Sequence, residues 1–246
     1  MNKVLVVTGA SRGIGAACAL RAAMEGWSVI VNYHASAAAA EQVVADILGK
    51  GGRAQAVQAD VAVEAEVKAL FDAAEAAFGL VSGVINNAGM LDHAMPLAEI
   101  ELARWERVFS VNTTGSFLVA REAVRRMLRA GTGGAIVNLS SMAAQLGAPQ
   151  EFVDYAASKG AVESMTIGLA KEVAARGIRV NAIRPGLIDT EMQAASGDPN
   201  RAARLMGSVP MGRVGTAAEV AEAALWLLSE RASYVTGAIL PVSGGR

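Results

Sequence analysis

The 246-residue sequence predicts a single doubly wound α/β domain, with helices on both faces of a parallel sheet of about seven strands. Short aliphatic runs alternate with longer alanine-rich stretches along the whole chain, which indicates repeated β-α-β units with right-handed crossovers. No linker, repeat or block of like charge suggests a domain boundary, so we treat residues 1–246 as one domain.

The predicted strands are brief and are bounded by Gly, Asp, Asn or Pro, as buried parallel strands usually are. They are Lys3–Thr8, Ser28–Tyr33, Ala54–Ala59, Val81–Asn86, Ala135–Leu139, Arg179–Ile183 and Ala238–Pro241. The predicted helices cover residues 13–26, 36–50, 64–78, 101–130, 153–176 and 217–229. Residues 189–212 lack a regular period and contain Gly197-Asp198-Pro199 and Gly207. We expect this segment to form a mobile lid over a substrate pocket.

Composition argues against several classes of function. The formal net charge of −1 gives no electrostatic reason to expect nucleic acid or an anionic membrane as a partner. No apolar run approaches the roughly 18 residues of a membrane-spanning helix. Because the only cysteine, Cys18, cannot form an internal disulfide, we expect a soluble protein of the reducing cytoplasm. The two histidines, His34 and His93, belong to no metal-ligand cluster, so we expect no metal site.

Glycine and polar clusters follow four of the predicted strands, each just beyond the carboxyl end. The clusters are Gly9–Gly15, Asn86–Gly89, Ser140-Ser141 and Pro185-Gly186. In open α/β sheets this edge forms the ligand crevice, so we expect the binding site there.

The first cluster, TGASRGIG (8–15), joins the first strand to the first helix with the glycine spacing G-x-x-x-G-x-G. Glycines permit a tight turn and a close approach of the backbone to a pyrophosphate, which the amides of the helix N-terminus then face. An ordinary glycine turn is the alternative, but the strand-turn-helix context favours a dinucleotide site.

Tyr155 and Lys159 lie four residues apart on a predicted helix, so the phenol and the ammonium group share one face. A free tyrosine has a pKa of about 10 and is a poor base at neutral pH. A nearby ammonium group favours the phenolate, which makes Tyr155 a candidate acid/base. Taken alone, the pair is better explained as a surface pair on an amphipathic helix.

In combination, these motifs resemble the short-chain dehydrogenase/reductase family over essentially the whole chain. The matching segments are TGASRGIG (8–15), Asp60-Val61, NNAG (86–89), Asn112 in VNTTG, LSS (139–141), YAASK (155–159) and RPG (184–186). The resemblance implies a Rossmann-type fold and an oxidoreductase that moves a hydride between nicotinamide and a carbonyl or alcohol. The chain is similar to both oxoacyl-carrier-protein reductases and glucose dehydrogenases, and the common motifs do not choose between their substrates.

The resemblance implies four catalytic residues. Tyr155 would transfer the hydroxyl proton, while Lys159 would lower the pKa of the phenol and bind the nicotinamide ribose. Ser141 would hold the substrate oxygen. Asn112 would bend its helix and anchor a water molecule of the proton relay.

One departure from the family pattern concerns the serines. Ser140 remains an alternative to Ser141, because the segment up to Tyr155 is one residue longer than in many relatives. We expect the extra residue within Gly147–Asp154, on the substrate side of the cleft.

The resemblance also implies contacts with a nicotinamide dinucleotide. Asp60 and Val61 should meet the adenine, and Tyr155 and Lys159 should lie at the nicotinamide end. The other implied contacts are Gly9, Ser11, Arg12, Gly13, Ile14, Gly15, Asn87, Ala88, Gly89, Pro185, Gly186, Ile188 and Thr190.

The end of the second strand bears on the choice of cofactor. NAD-preferring folds usually place a carboxylate there to bind the adenosine ribose. This sequence reads Asn32-Tyr33-His34-Ala35-Ser36 and has no acidic residue at that place. Arg12 can supply the positive charge that a 2′-phosphate needs, and Asn32, Tyr33 and Ser36 are predicted to line the same site. The sequence therefore favours NADP, with NAD as second choice.

Two functions compete. The leading one is a reductase or dehydrogenase of a small carbonyl or alcohol, and the alternative is a catalytically silent NADP(H) sensor. A sensor could dispense with Tyr155 or Lys159. Because the chain keeps both, together with Ser141 and Asn112, catalysis is favoured.

The resemblance further implies a homotetramer or homodimer, in which the helices at 101–130 and 153–176 pair with their symmetry mates. Small residues on these helices would permit close approach, namely Ala120, Ala123, Ala157 and Ala161. Four arginines toward the helix ends are expected to lie on solvated faces rather than to bind an acidic partner. They are Arg125, Arg126, Arg129 and Arg176.

Overall fold

A seven-stranded parallel sheet forms the centre of the computed structural model, which describes residues 3–198 and 200–246. The strands, including a separate short pair (β7 and β8), are β1 (Val4–Val7), β2 (Ser28–Tyr33), β3 (Arg53–Gln58), β4 (Gly83–Asn86), β5 (Gly134–Leu139), β6 (Ile178–Pro185), β7 (Ile188–Asp189), β8 (Gly215–Thr216) and β9 (Ile239–Val242). The order in the sheet is β3-β2-β1-β4-β5-β6-β9, and every neighbouring pair is parallel. The order reverses between β1 and β4, which makes the sheet doubly wound.

Helices cover both faces of this sheet, as predicted. They are α1 (Gly13–Met24), α2 (Ala37–Gly49), α3 (Glu64–Phe78), α4 (Leu102–Phe109), α5 (Ser116–Ala130), α6 (Ala143–Leu146), α7 (Val153–Val173), α8 (Arg201–Met206) and α9 (Ala217–Leu228). Helices α1, α2 and α9 pack on one face, and α3, α5 and α7 pack on the other. The predicted fold class is therefore confirmed.

The central strands are aliphatic at every position because both of their faces are buried. Leu5 and Val7 of β1 belong to the core beneath α1, whereas Val4 and Val6 belong to the core on the opposite face. All four side chains are fully buried. Continuous apolar runs of this kind are typical of parallel sheets covered on both sides.

The segment predicted as one helix over residues 101–130 is helical from Leu102 to Ala130, but it is divided into three parts. Helix α4 ends at Phe109, a π-helical turn spans Ser110–Gly115, and α5 follows. An extra residue per turn is inserted where a buried side chain, Asn112, bonds to groups outside the helix. The sequence analysis had expected Asn112 to bend its helix, but had given one uninterrupted helix over these residues.

Helix α5 also corrects two expectations about side-chain exposure. Arg126 is buried and not solvated, because its guanidinium donates to Glu122, Glu75 and Asp72. Ala120 and Ala123 are buried inside the chain and are not available to a symmetry mate, whereas Ala157 of α7 is exposed.

Strands β7 and β8 pair with each other and bracket the segment that we predicted to be a lid. Between them the chain forms a 3₁₀-helix at Glu191–Ser196 and helix α8, neither of which the sequence pattern indicated. Pro199 of the predicted hinge lies outside the described residues. Among the described helices, none combines the length and the apolar character needed to cross a membrane.

Candidate active site

The polar clusters after β1 and β4 meet at the carboxyl edge of the sheet and are joined by hydrogen bonds. The Thr8 hydroxyl accepts from the backbone amides of Asn87 and Ala88, both at 2.9 Å. The Asn87 side-chain amide donates in return to the carbonyls of Thr8 (2.9 Å) and Gly9 (3.0 Å). The glycine loop is thus fixed from the neighbouring strand, and Thr8 is a positioning residue that the sequence analysis had not singled out.

The glycines of this loop are required by its geometry. Gly9 and Gly13 have φ angles of +60° and +55°, in the left-handed region that favours glycine. A Cβ atom on Gly15 would collide with the carbonyl oxygen of Gly9 and lie 2.6 Å from the Asn87 side-chain nitrogen. Helix α1 begins at Gly13, and the Arg12 side chain makes no capping bond to it. The first amides of α1 have no intrahelical partner, so the loop is suited to hold an anion such as a pyrophosphate.

Arg12 and Ser36 lie together at the edge of this loop. The Nη2 atom of Arg12 donates to the Ser36 hydroxyl at 2.6 Å, and Arg12 is exposed to solvent. Tyr33 is the last residue of β2, three positions before Ser36, and is partly buried. Two of the four residues that we predicted at the 2′-phosphate site, Arg12 and Ser36, are therefore neighbours.

The predicted phosphate contact from the Asn32 side chain is corrected by the structure. Asn32 is buried, and its amide nitrogen donates to the carbonyls of Tyr33, Val57 and Ala59. Its side-chain oxygen accepts from the Gly9 amide at 3.2 Å. Asn32 therefore fixes the glycine loop against β2 and β3, since its polar atoms are already occupied.

The predicted adenine contacts follow β3. Asp60 accepts a hydrogen bond from the Ala62 amide at 2.9 Å, and its other carboxylate oxygen lies 3.9 Å from Nε2 of His34. Val61 is buried against Gly115, where an added Cβ would lie 2.7 Å from Val61 Cγ2. Val61 thus forms part of the wall between the cleft and the π-helical turn.

Tyr155 is partly buried near the N-terminus of α7. Burial raises the pKa of the phenol above its usual value of 10.0, because the anion is poorly solvated there. A hydrogen bond with the Ser141 side chain and the charge of Arg201 act in the opposite direction and favour the phenolate. The effect of Lys159 on this pKa, which the sequence analysis had expected, is not among these causes.

Lys159 is buried one helical turn further along α7. Its ammonium group donates to the carbonyl of Leu139 at 2.7 Å and lies over the Tyr155 ring, 5.7 Å from the centroid. Burial lowers the pKa of Lys159 to about 8. A Cβ atom on Gly89 would lie 3.3 Å from the Lys159 nitrogen, so the predicted NNAG segment borders the same space.

Asn112 joins three elements of the site. Its side-chain oxygen accepts from the Met90 amide at 2.7 Å, and its nitrogen donates to the Met90 carbonyl at 3.0 Å. The same nitrogen donates to the hydroxyl of Ser158 on α7 at 3.1 Å. Asn112 therefore fixes the π-helical turn relative to Tyr155 and Lys159, and its role toward a water molecule stays a prediction.

The structure distinguishes the two adjacent serines. Ser141 is partly exposed and is close enough to the phenol to lower the pKa of Tyr155, whereas Ser140 is buried and donates to the carboxylate of Glu163 at 2.6 Å. Glu163 also binds the guanidinium of Arg184, just before the predicted Pro185-Gly186 contact. Ser141 is thus the serine placed to meet a ligand beside the phenol.

A cavity of about 370 Å³ opens beside Ser141, Tyr155 and Lys159. The loop in which we expected the extra residue forms one of its walls, through Ala148, Pro149, Glu151 and Phe152. Ala148 and Gln150 have φ angles of 43° and 63°, which are unfavourable for residues with a Cβ. Strain of this kind concentrates at functional sites, which is consistent with a loop that shapes the ligand pocket.

Six further predicted contacts line this cavity. Ile14, Asn87, Pro185, Gly186, Ile188 and Thr190 are among its lining residues. Thr190 also lies against the glycine loop, 3.5 Å from the position of a Cβ on Gly13. Three methionines lie in the segment 189–212: Met192 lines the cavity, while Met206 and Met211 are exposed on the surface.

Several residues of the site follow no motif and were missed by sequence reasoning. Arg201 and Arg204 of α8, together with Arg246, line the cavity through side chains distant in sequence from the family segments. Arg104 of α4 forms a buried ion pair with Asp154, the residue before Tyr155. No local pattern predicts these contacts, because each depends on how distant segments pack.

Comparisons with known proteins agree over nearly the whole chain. A family model described as enoyl-(acyl carrier protein) reductase matches residues 9–246. The chain is 49% identical to an uncharacterized oxidoreductase, YgfF, of Escherichia coli (strain K12), over 99% of both proteins. It is 46% identical to 3beta-hydroxysteroid dehydrogenase 1 of Eggerthella lenta, over 99% of this chain and 93% of that protein.

A solved structure gives the same result in three dimensions. The crystal structure of 3-ketoacyl-(acyl-carrier-protein) reductase from Brucella melitensis complexed with NADH superimposes with a TM-score of 0.92 and 35% identity. The match covers 99% of this chain and 98% of that chain. The names of these similar proteins agree on oxidation or reduction but differ in substrate.

Proposed function

The chain belongs to the short-chain dehydrogenase/reductase family and is an oxidoreductase of that family, and we propose that Tyr155 is its acid/base and NADP(H) its preferred cofactor. The observation that carries this proposal is the placement of Tyr155 and Ser141 together on the wall of one cavity. A phenol and a hydroxyl side by side can together hold one carbonyl or alcohol oxygen.

The residues at the sheet edge fit a nicotinamide dinucleotide. The position of Gly15 excludes a Cβ atom, and the positive φ angles of Gly9 and Gly13 bring the backbone close to the space above α1. The loop amides would hold the pyrophosphate, and Lys159 would hold the nicotinamide ribose. When bound, the nicotinamide supplies or accepts the hydride.

The residues around the Tyr155 phenol explain how the proton is held and transferred. During reduction, Ser141 and Tyr155 donate hydrogen bonds to the carbonyl oxygen, and the phenol proton passes to that oxygen as the carbon gains the hydride. Burial keeps the phenol protonated at neutral pH, which is the form that reduction needs. The Ser141 hydrogen bond and the charge of Arg201 favour the phenolate that remains, and the same phenolate accepts the proton during alcohol oxidation.

The preference for NADP rests on the adjacent Arg12 and Ser36 side chains. A guanidinium and a hydroxyl match the oxygens of a 2′-phosphate. NAD is the second choice of cofactor for this chain. The structurally similar Brucella melitensis reductase was solved with NADH.

The substitution Tyr155→Phe tests the proposal because it removes only the phenol hydroxyl. Aldehydes, ketones, sugars and acyl thioesters are first screened with NADPH, whose absorbance reports turnover. We expect the variant to fold and bind NADPH while its turnover falls by about 10²–10⁴-fold, as for the loss of a general acid/base. Tyr234→Phe is the matched control, because Tyr234 is fully exposed and outside the cavity. Near-normal turnover by the Tyr155→Phe variant would contradict the mechanism.

The alternative of a catalytically silent sensor gains no support from the comparisons, since the similar proteins carry enzyme names. The cytoplasmic location expected from the lone cysteine stays a prediction, which cell fractionation would test.

A further inference from the structure

We propose that the natural substrate carries an anionic group, a carboxylate or a phosphate, that binds to three arginines on the cavity wall. We call Arg201, Arg204 and Arg246 the arginine cluster. This inference rests on the proposed function, because it takes the cavity beside Tyr155 as the substrate site.

The arginine cluster is only partly neutralised by the protein. Glu151 accepts from Arg201 at 2.9 Å and from Arg204 at 2.8 Å, so one carboxylate serves two guanidinium groups. Arg204 also pairs with Asp198 at 3.1 Å. Glu151 is the only acidic side chain among the described residues that line the cavity, against the three arginines and Lys159. The wall therefore keeps a positive charge.

Arg246 contributes to this surplus without a partner of its own among the described residues. Within residues 3–198 and 200–246, its guanidinium has no ion pair and no hydrogen bond, although the residue is half-buried. Burial and the charge of Arg201 both lower the pKa of Arg246, while Glu151 opposes them. An unpaired cation in such a place is costly, and an anion bound there would lower that cost.

The backbone holds Arg246 at the cavity. The Met211 amide donates to the Gly244 carbonyl at 3.0 Å, and a Cβ on Gly244 would lie 2.8 Å from Val209 Cγ1. The tail is therefore packed closely against the segment that follows α8. The side chain of Arg201 is held by a different contact: its guanidinium lies over the Phe152 ring, 5.1 Å from the centroid.

The rest of the cavity wall indicates the character of the substrate between its reacting carbonyl or alcohol and its anionic group. Much of it is apolar, with Leu91, Met142, Leu146, Phe152, Leu187 and Leu205 among its lining residues. Tyr155 and Arg201 line the same cavity of about 370 Å³, so the acid/base and the cation lie within reach of one small molecule. We therefore infer a substrate with an apolar body, a carbonyl or alcohol at one end and an anion at the other.

Calorimetric titration tests the anion site without turnover. The probes are straight-chain carboxylates of four to ten carbons, their neutral amides and the corresponding alkyl phosphates, added to the NADPH-bound protein. We expect at least one carboxylate or phosphate to bind about tenfold or more tightly than the neutral amide of equal length, as for a charge-assisted hydrogen bond. Whichever of the two probe classes binds more tightly, carboxylates or phosphates, identifies the anionic group of the substrate. Equal affinity of anion and amide at every length, or no binding at all, would overturn the inference.

The variant Arg246→Gln assigns the effect to one residue. It should abolish most of the preference for the anion, while Arg176→Gln, which removes the same charge at an exposed site outside the cavity, should leave it unchanged. An unaltered preference in Arg246→Gln, with folding verified by urea unfolding, would show that Arg246 is not the anion's partner.

A turnover measurement separates this inference from the proposed function. The substrates are ω-oxo acids of the same lengths and their methyl esters. A higher kcat/KM for the acid that falls as salt is added supports the anion site. Equal reduction of acid and ester overturns only the anion site, whereas failure to reduce any carbonyl in the wider screen overturns the proposed function.

Discussion

The Nη2 atom of Arg12 lies 2.6 Å from the Oγ atom of Ser36, so the glycine loop and the turn after β2 present a cation and a hydroxyl side by side. Arg12 is exposed, and neither residue belongs to the buried core. The pair is therefore available to a ligand that approaches along the loop.

Replacing Arg12 by Ala should weaken NADPH binding far more than NADH binding, because only NADPH carries the 2′-phosphate. The loss for NADPH should be on the order of 10- to 100-fold, as for a hydrogen bond to a charged group. Fluorescence titration with both cofactors measures it, and Ser36→Ala should give a smaller loss with the same selectivity. Equal losses for both cofactors would mean that Arg12 shapes the loop and does not read the phosphate.

Local and long-range structure explain why one part of this site was predicted and another was not. The glycine loop depends on backbone space that three glycines create within a few residues, so its motif was sufficient to predict it. The side chain of Asn32 lies beside that loop, and its polar character suggested a ligand contact. Its partners, however, come from β3 and from the Gly9 amide, and the sequence around Asn32 gives no indication of them.

The buried Lys159 should make stability depend on pH. Its pKa falls from 10.5 to about 8 on folding, so above pH 8 the folded protein releases a proton that the unfolded chain retains. The unfolded state then binds more protons, and the free energy of unfolding should rise with pH by up to about 1.4 kcal/mol per unit between pH 8 and 10. Below pH 8 the lysine is charged in both states and this dependence disappears.

The variant Lys159→Met provides the reference for this measurement. Urea unfolding at pH 7, 8, 9 and 10 gives the difference in unfolding free energy between wild type and variant. That difference should move in favour of the wild type as pH rises above 8, while both proteins keep Tyr155. A difference that stays constant with pH would show that the pKa of Lys159 is not lowered.

Arg104→Ala should destabilise the protein strongly. Arg104 binds Asp154 through two hydrogen bonds, at 2.8 and 3.2 Å, and donates to the His93 carbonyl at 2.6 Å. The variant would leave the Asp154 carboxylate buried without its partner, which costs about 3–5 kcal/mol. Arg107→Ala is the control, since its pair with Asp92 is largely exposed and should contribute about 0–1 kcal/mol. Similar losses in urea unfolding for both variants would disprove the importance of the buried pair.

The predicted homotetramer or homodimer now has better candidate contacts than the buried alanines. Phe117 of α5 and Ile167 of α7 are 45% and 39% exposed, and they lie within the two segments that the family resemblance implies for the interface. Phe117→Asp should therefore shift the assembly toward the 25.2 kDa single chain, whereas Leu48→Asp on α2 should not. Light scattering at micromolar concentration measures the mass. A wild-type protein that is already a single chain would contradict the prediction.

The substrate end of the site illustrates the limit of prediction from sequence. Family segments identified Tyr155, Lys159 and Ser141, whose spacing is set by one helix and the loop after one strand. Arg201 and Arg246 reach the same cavity from a short helix after β7 and from the segment after β9. Their meeting depends on the packing of residues 189–212, for which the sequence had no regular period.

Polar contacts at the surface help to hold that segment over the cavity. The Ala94 amide donates to the Ser196 carbonyl at 3.1 Å, and Glu151 pairs with Arg201 and Arg204 of α8. Nearby charges lower the pKa of Glu151, against the effect of its burial, so the carboxylate stays ionised at neutral pH. A few contacts of this strength can break without unfolding the sheet.

We therefore predict that residues 189–212 act as a mobile lid. Their amides should exchange hydrogen quickly in the free enzyme and slow when cofactor and substrate are bound, because closure completes the pocket and excludes water from it. Glu151→Gln removes the charge that holds Arg201 and Arg204, a contribution of about 1 kcal/mol that corresponds to roughly fivefold faster exchange. The amides of α9 provide the internal control, since that helix is packed on the sheet and should exchange at the same rate in both proteins. Mass spectrometry after timed exchange resolves these segments. Strong protection of residues 189–212 in the free enzyme would mean that the segment is a fixed part of the fold, permanently closed on the core.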